Sequence, residues 1–208
     1  MERTNTRKLT TLAIFTALII VLQLVSNVAK IGPVSITLSL VPIVVGATLY
    51  GVSSGAYLGG VFGVVVLVCC VIGMDAGGNI LWNVSPLFTT LVCLAKGIAA
   101  GAAAAAVYRL VSRKNAIAGA VCAGIAAPVV NTGLFILGMA LFFQPTLAAW
   151  AGETDVVYYA LIGLTGVNFL VELAINMILA PVIVRIIGGW RPSVPVRIVA
   201  DETKQDKE

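Results

Sequence analysis

Val156–Ile187 reads VVYYALIGLTGVNFLVELAINMILAPVIVRII, a run apolar and long enough to cross a bilayer, with Asn168, Glu172 and Asn176 set into it at four-residue intervals. Residues at i, i+4 and i+8 share one face of a helix, so these three polar side chains form a stripe. A stripe of that kind is too costly to turn toward lipid and must face other protein. Glu172 is the one acidic residue within any membrane-length span of the sequence, and Lys96, in another apolar run, is its obvious partner. Lys96, Asn131, Asn168, Glu172 and Asn176 are therefore expected to line a polar interior.

The rest of the chain supports a membrane setting. Sixty per cent of the 208 residues are hydrophobic and 11% charged, and the mean hydropathy of +1.05 is far above that of soluble domains. The length accommodates about six spans of roughly 20 residues and no separate soluble domain. The fold class is therefore an all-α integral membrane protein, a single bundle of six transmembrane helices over residues 9–187. A short N-terminal segment, 1–8, precedes it and a C-terminal tail, 188–208, follows, charged and disordered from Pro192 to Glu208. The spans begin near Leu9, Val34, Gly55, Pro86, Ala116 and Val156. Pro42 suggests a kinked or partly extended second span, and KIGPVSIT (residues 30–37) a turn with a short extended segment.

Charge gives the orientation. Eleven of the thirteen Lys and Arg residues fall in the N-terminus, in the loop Arg109–Lys114 or at the C-terminal end. Six spans with both termini cytoplasmic satisfy the positive-inside rule, whereas an odd number would not. The net charge of +4 is thus a topology signal and implies no nucleic-acid partner. The partners expected are the lipid bilayer, other membrane helices and a small solute.

Several chemistries are excluded. Without any His, and with one intramembrane carboxylate, the chain lacks the converging groups that a membrane hydrolase or metal site requires. Cys69, Cys70, Cys93 and Cys122 lie in apolar spans without metal-ligand or redox-motif spacing and read as core residues. No phosphate-binding loop of the G-x-x-x-x-G-K-[ST] form occurs. No enzyme activity, cofactor or metal is expected, and a binding or transport role remains.

Two regions outside the polar stripe draw functional readings. MDAGGNILWNVS (residues 74–85) is the most polar connection between spans, and its glycines with Asn79, Trp82 and Asn83 suit a lid over the bundle mouth; an interfacial tryptophan is the plain alternative. In the first span, Ala13 and Ala17 give a helix face small enough for close approach by another helix. Gly55, Gly59 and Gly63 do the same in the third span, where packing within the bundle is the expected use.

Taken together, RKLTTLAIFTALIIVLQ, IGPVSITLSLVPIVVGATLYGVSSGAYLGGVFG, SPLFTTLVCLAKG and VNFLVELAINMILAPVIVRI, in this order and spacing, resemble the substrate-binding S components of energy-coupling factor vitamin transporters of prokaryotes. The resemblance implies a plasma-membrane protein that captures a water-soluble vitamin on its outer side. It also implies docking, through the small residues Ala13 and Ala17, on a transmembrane coupling subunit driven by two ATPases. Pantothenate is the vitamin favoured. Riboflavin and folate rank below it, because the polar stripe contains no aromatic residue to stack on their rings. Two alternatives from other classes stand beside this one: a self-sufficient secondary transporter with Lys96 and Glu172 as a proton relay, and a structural subunit in which those residues merely hold helices together.

Overall fold

The computed structural model describes residues 2–27, 30–31, 34–35 and 37–189, with side chains described for 6–27 and 37–185. The tail from Pro192 to Glu208, read above as disordered, lies outside them. The elements are α1 (Glu2–Ser26), a two-stranded antiparallel hairpin β1 (Lys30–Ile31) and β2 (Val34–Ser35), α2 (Leu40–Tyr50), α3 (Val52–Val71), α4 (Ala76–Val84), α5 (Pro86–Val111), α6 (Ala116–Phe142), α7 (Gln144–Ala151), α8 (Val156–Tyr158), a π-helical segment (Tyr159–Leu164) and α9 (Gly166–Gly189).

Among the described residues, five helices are long and apolar enough to cross a membrane, through Thr6–Ser26, Val52–Val71, Pro86–Val111, Ala116–Phe142 and Gly166–Arg185. Their outer surfaces are hydrophobic: Ile14, Val64, Leu87, Leu170 and Ile178 are all exposed. Polar side chains lie inside instead, among them Gln23, Ser26, Thr89, Asn131, Thr165, Asn168, Glu172 and Asn176. Apolar outside and selectively polar inside is the arrangement expected of helices solvated by lipid.

The sixth apolar segment, α2, has 11 residues, which gives a helix of roughly 16 Å, about half the hydrocarbon thickness. Leu40 to Ala47 are buried without interruption, because α2 is the axis of the bundle, flanked by α1, α3, α5, α6 and α9. A helix apolar on all sides has no other stable place. Pro42 does not kink it. It sits in the first turn, where a backbone N–H would have no intrahelical acceptor in any case.

Glycine sets the closest helix pair. α3 and α5 run antiparallel with Gly55 against Gly101, Gly59 against Gly97 and Gly63 against Cys93. A Cβ built on Gly63 would lie 2.6 Å from the carbonyl oxygen of Cys93, and those on Gly59 and Gly97 would each strike the other residue's carbonyl oxygen. The repeat in α3 is therefore a packing device, and α5 supplies its counterpart. A second close approach joins α6 to α9, where a Cβ on Gly124 would lie 2.7 Å from the Asn176 carbonyl oxygen. Pro128, one turn further on in the continuous helix α6, cannot bond that turn's carbonyl.

Two sequence expectations change. Residues 74–85 are not an open loop: Asp75 caps α4 by accepting a hydrogen bond from Gly78 N–H at 3.1 Å. The span read as Val156–Ile187 is broken at Thr165, whose hydroxyl donates to the Ala160 carbonyl at 3.0 Å. Ahead of that break, Ala160 and Leu164 pack with Leu81, Met139, Phe143 and Leu147 into a small cluster of their own. That burial supports a short separate segment in place of one long helix.

Candidate functional site

Because α2 is short, the end of the bundle beyond its N-terminus is not filled by helix. A cavity with about 340 Å³ of empty space, part of it open to solvent, lies there, lined by Thr37 ahead of α2, Lys96 of α5, Asn131, Thr132 and Phe135 of α6, Thr165 just before α9, and Asn168, Phe169 and Glu172 in its first turns. A second and larger cavity, with about 520 Å³ of empty space that is likewise partly open to solvent, shares Lys96 and Phe135 with it. Its other walls are largely apolar, with Val66, Leu81, Val92, Met139, Phe143 and Trp150 beside Thr89, Cys70, Cys93 and Asp75. Both cavities sit at the end of the bundle opposite the basic loop Arg109–Lys114.

Glu172 is 4% exposed. Its Oε1 accepts the backbone N–H of Thr37 at 2.7 Å, while Oε2 has no hydrogen-bond partner. The loop that carries Thr37 is tied on its far side to α1. There Leu38 N–H donates to Ser26 Oγ at 3.2 Å, and the Ser39 hydroxyl lies 3.2 Å from Gln23 Oε1 and 3.3 Å from the Ile19 carbonyl. Residues 37–39 thus link a buried carboxylate on α9 to the first helix.

Lys96 and Glu172 line one cavity without forming an ion pair. The Lys96 ammonium stands 5.2 Å from the ring centroid of Phe135 and 5.9 Å from that of Phe62, and no described acidic group lies within 4 Å of it. Aromatic faces offset part of its desolvation, but a ring quadrupole is a weaker partner than an anion. Asn131 is buried with its Oδ1 unpartnered.

The stripe predicted on the last helix faces inward throughout, but its members divide. Asn168 and Glu172 reach the cavity; Asn176, fully buried, lies one turn deeper, outside both cavity linings, and donates to the Glu172 carbonyl at 2.8 Å. On α4 the inward face consists of Gly77, Gly78 and Leu81. Asn79 instead donates to the Cys70 carbonyl at 2.8 Å and closes the end of α3, Asn83 donates to Asn79, and Trp82 is half-buried; none of the three lines a cavity. The tryptophan that does is Trp150, on α7.

Sequence reasoning missed Phe135, Met139, Thr89, Val92 and Trp150. Helical spacing contained a signal for most of them. Asn131, Phe135 and Met139 are four apart on α6, and Thr89, Val92 and Lys96 share a face of α5. Nothing local marked Trp150. Ala13 and Ala17 lie on an exposed face of α1, opposite the side that buries Phe15, Ile19 and Gln23.

Comparison with known proteins adds the family. The model of the family described as "ECF transporter, substrate-specific component" matches residues 7–184. The chain is 29% identical over 196 residues to "Pantothenic acid transporter PanT" of Lactococcus lactis subsp. cremoris (strain MG1363), an alignment covering 88% of this chain and 95% of that protein. No solved structure matches. With the apolar helices and the family match running over nearly the same residues, the chain is a multi-pass membrane protein of a prokaryotic plasma membrane and belongs to the substrate-specific component family of ECF transporters.

Proposed function

We propose that this chain is the substrate-capturing subunit of an ATP-driven importer of a small water-soluble vitamin, with pantothenate the first candidate. The observation that carries the reading is Lys96: a cation midway along α5, on the wall shared by two cavities, set against the rings of Phe62 and Phe135 with no described acidic group within 4 Å. Such a group suits an incoming carboxylate, and pantothenate has one. Asn131, Asn168 and Glu172 supply the polar wall beside it, and Leu81 of α4 and Trp150 of α7 cover the apolar side. The name of the Lactococcus relative supports the same vitamin. Phe135, Phe143 and Trp150 in the larger cavity remove the earlier ground for ranking riboflavin and folate lower, so both belong in the test. Titration calorimetry of the detergent-extracted protein with pantothenate, riboflavin and folate decides the point. Tight binding of pantothenate alone is expected, and preference for either flat-ring vitamin would overturn the choice.

In this reading α1, the hairpin with α2, α3, α5, α6 and α9 make six passes, both termini are cytoplasmic and the cavities open outward. α1 docks through Ala13 and Ala17 on a transmembrane coupling subunit that two ATPases drive. Changing both alanines to leucine should prevent assembly and abolish uptake, while ligand affinity stays within about twofold, since neither side chain touches the cavities. ATP-dependent uptake at the normal rate by that variant would refute the docking face.

A further inference from the structure

Glu172 offers its two oxygens to different neighbours. Oε1 is held by the Thr37 N–H, and Oε2, on a side chain lining the smaller cavity, accepts nothing. Asn131 Oδ1, buried on the same cavity, likewise accepts nothing. Buried acceptors left without donors are costly, and proteins keep few of them. Across the cavity, Lys96 stands against the rings of Phe62 and Phe135, with no described acidic group within 4 Å.

We infer, resting on the proposed role in substrate capture, that the site selects a hydroxylated carboxylate: Lys96 takes the carboxylate, while Oε2 of Glu172 and Oδ1 of Asn131 each accept a hydrogen bond from a ligand hydroxyl. Thr37 is the positioning residue, because its N–H fixes which oxygen of Glu172 is left for the ligand. Two separate acceptors, on Glu172 and Asn131, suit two hydroxyls, and Thr132 and Thr165 add neutral polar wall of the kind that surrounds them; an ammonium on Glu172 is the rival arrangement, which a zwitterionic probe tests. Pantothenate, with a carboxylate at one end and two hydroxyls at the other, is one member of the class.

The test uses the intact chain in detergent and five probes: pantothenate, the shorter dihydroxy acid pantoate, an N-acyl-β-alanine of the same length as pantothenate without hydroxyls, the alcohol analogue in which the carboxylate is reduced, and a zwitterionic amino acid of similar length. For the unaltered chain, removing either the hydroxyls or the carboxylate should weaken binding roughly ten-fold or more. In Glu172→Gln the amide oxygen can still accept the Thr37 N–H, so the loop stays tied, but the atom facing the ligand changes from anionic acceptor to donor. The variant should lose roughly ten-fold or more toward pantothenate and less than about twofold toward the hydroxyl-free acid. Equal losses toward both acids would mark Glu172 as structural and overturn the inference, as would a hydroxyl-free acid that binds the unaltered chain as tightly as pantothenate. Should pantothenate fail while another hydroxy carboxylate binds with the same Gln signature, the pantothenate reading falls and the inference stands. Binding of the zwitterion alone, or of no hydroxy carboxylate, overturns the inference.

Discussion

Replacing Lys96 with methionine is expected to weaken vitamin binding by about 1–3 kcal/mol, roughly 5- to 150-fold in Kd, with the melting temperature unchanged or raised. The two effects separate because of what Lys96 touches. Had it been paired with Glu172, its removal would strand a buried carboxylate and lower stability first, with Glu172→Gln restoring part of the loss. The ammonium faces Phe62 and Phe135 instead, and Glu172 is held by the Thr37 N–H. Methionine fills similar space, needs no counter-charge and keeps contact with both rings. Calorimetry together with melting by detergent-compatible fluorimetry measures both quantities. A lower melting temperature with unchanged affinity would remove Lys96 from the ligand site.

A larger effect on folding is expected one helix away. Gly59→Leu should cost more than about 3 kcal/mol and leave no monodisperse folded protein, since the new side chain would drive into the Gly97 carbonyl and the Ile98 backbone. Backbone cannot step aside as a side chain can. The control is the adjacent glycine: a Cβ on Gly60 meets nothing nearer than Ile98 Cγ1 at 3.5 Å, so Gly60→Ala should be tolerated. Size-exclusion profiles and melting curves of the two variants give the comparison, and a well-folded Gly59→Leu would show that the two helices can separate without loss.

Much of this architecture was legible because membrane burial writes simple patterns. The Gly55, Gly59 and Gly63 repeat predicted a close helix contact, and the spacing of Asn168, Glu172 and Asn176 predicted an inward face; both are found. What escaped was whatever depended on distant partners. The ring faces opposite Lys96, rather than Glu172, and the Thr37 amide at Glu172 come from segments far apart in sequence. α4 was hidden because its polar face, Asn79 and Asn83, resembles loop composition, while its inner face is only Gly77, Gly78 and Leu81. The break at Thr165 was hidden for the opposite reason: residues on both sides are apolar, and only the separate cluster around Ala160 and Leu164 makes the short segment worthwhile.

The glycine seam also limits how the molecule can move. Helices that meet through side chains can slide by small steps as rotamers exchange, but α3 and α5 meet backbone to backbone at Gly55, Gly59, Gly97 and Gly101, where there are no rotamers to exchange. The next register that restores glycine against glycine is one four-residue repeat away, roughly 6 Å along the axis. At the present register a Cβ on any of these four glycines would meet the facing carbonyl oxygen, so a slide that replaces glycine by a larger residue there is opposed. The pair is therefore a stiff frame, and the loop at Thr37, α4 and α7, held by side chains and single hydrogen bonds, are the parts with more freedom to shift against it.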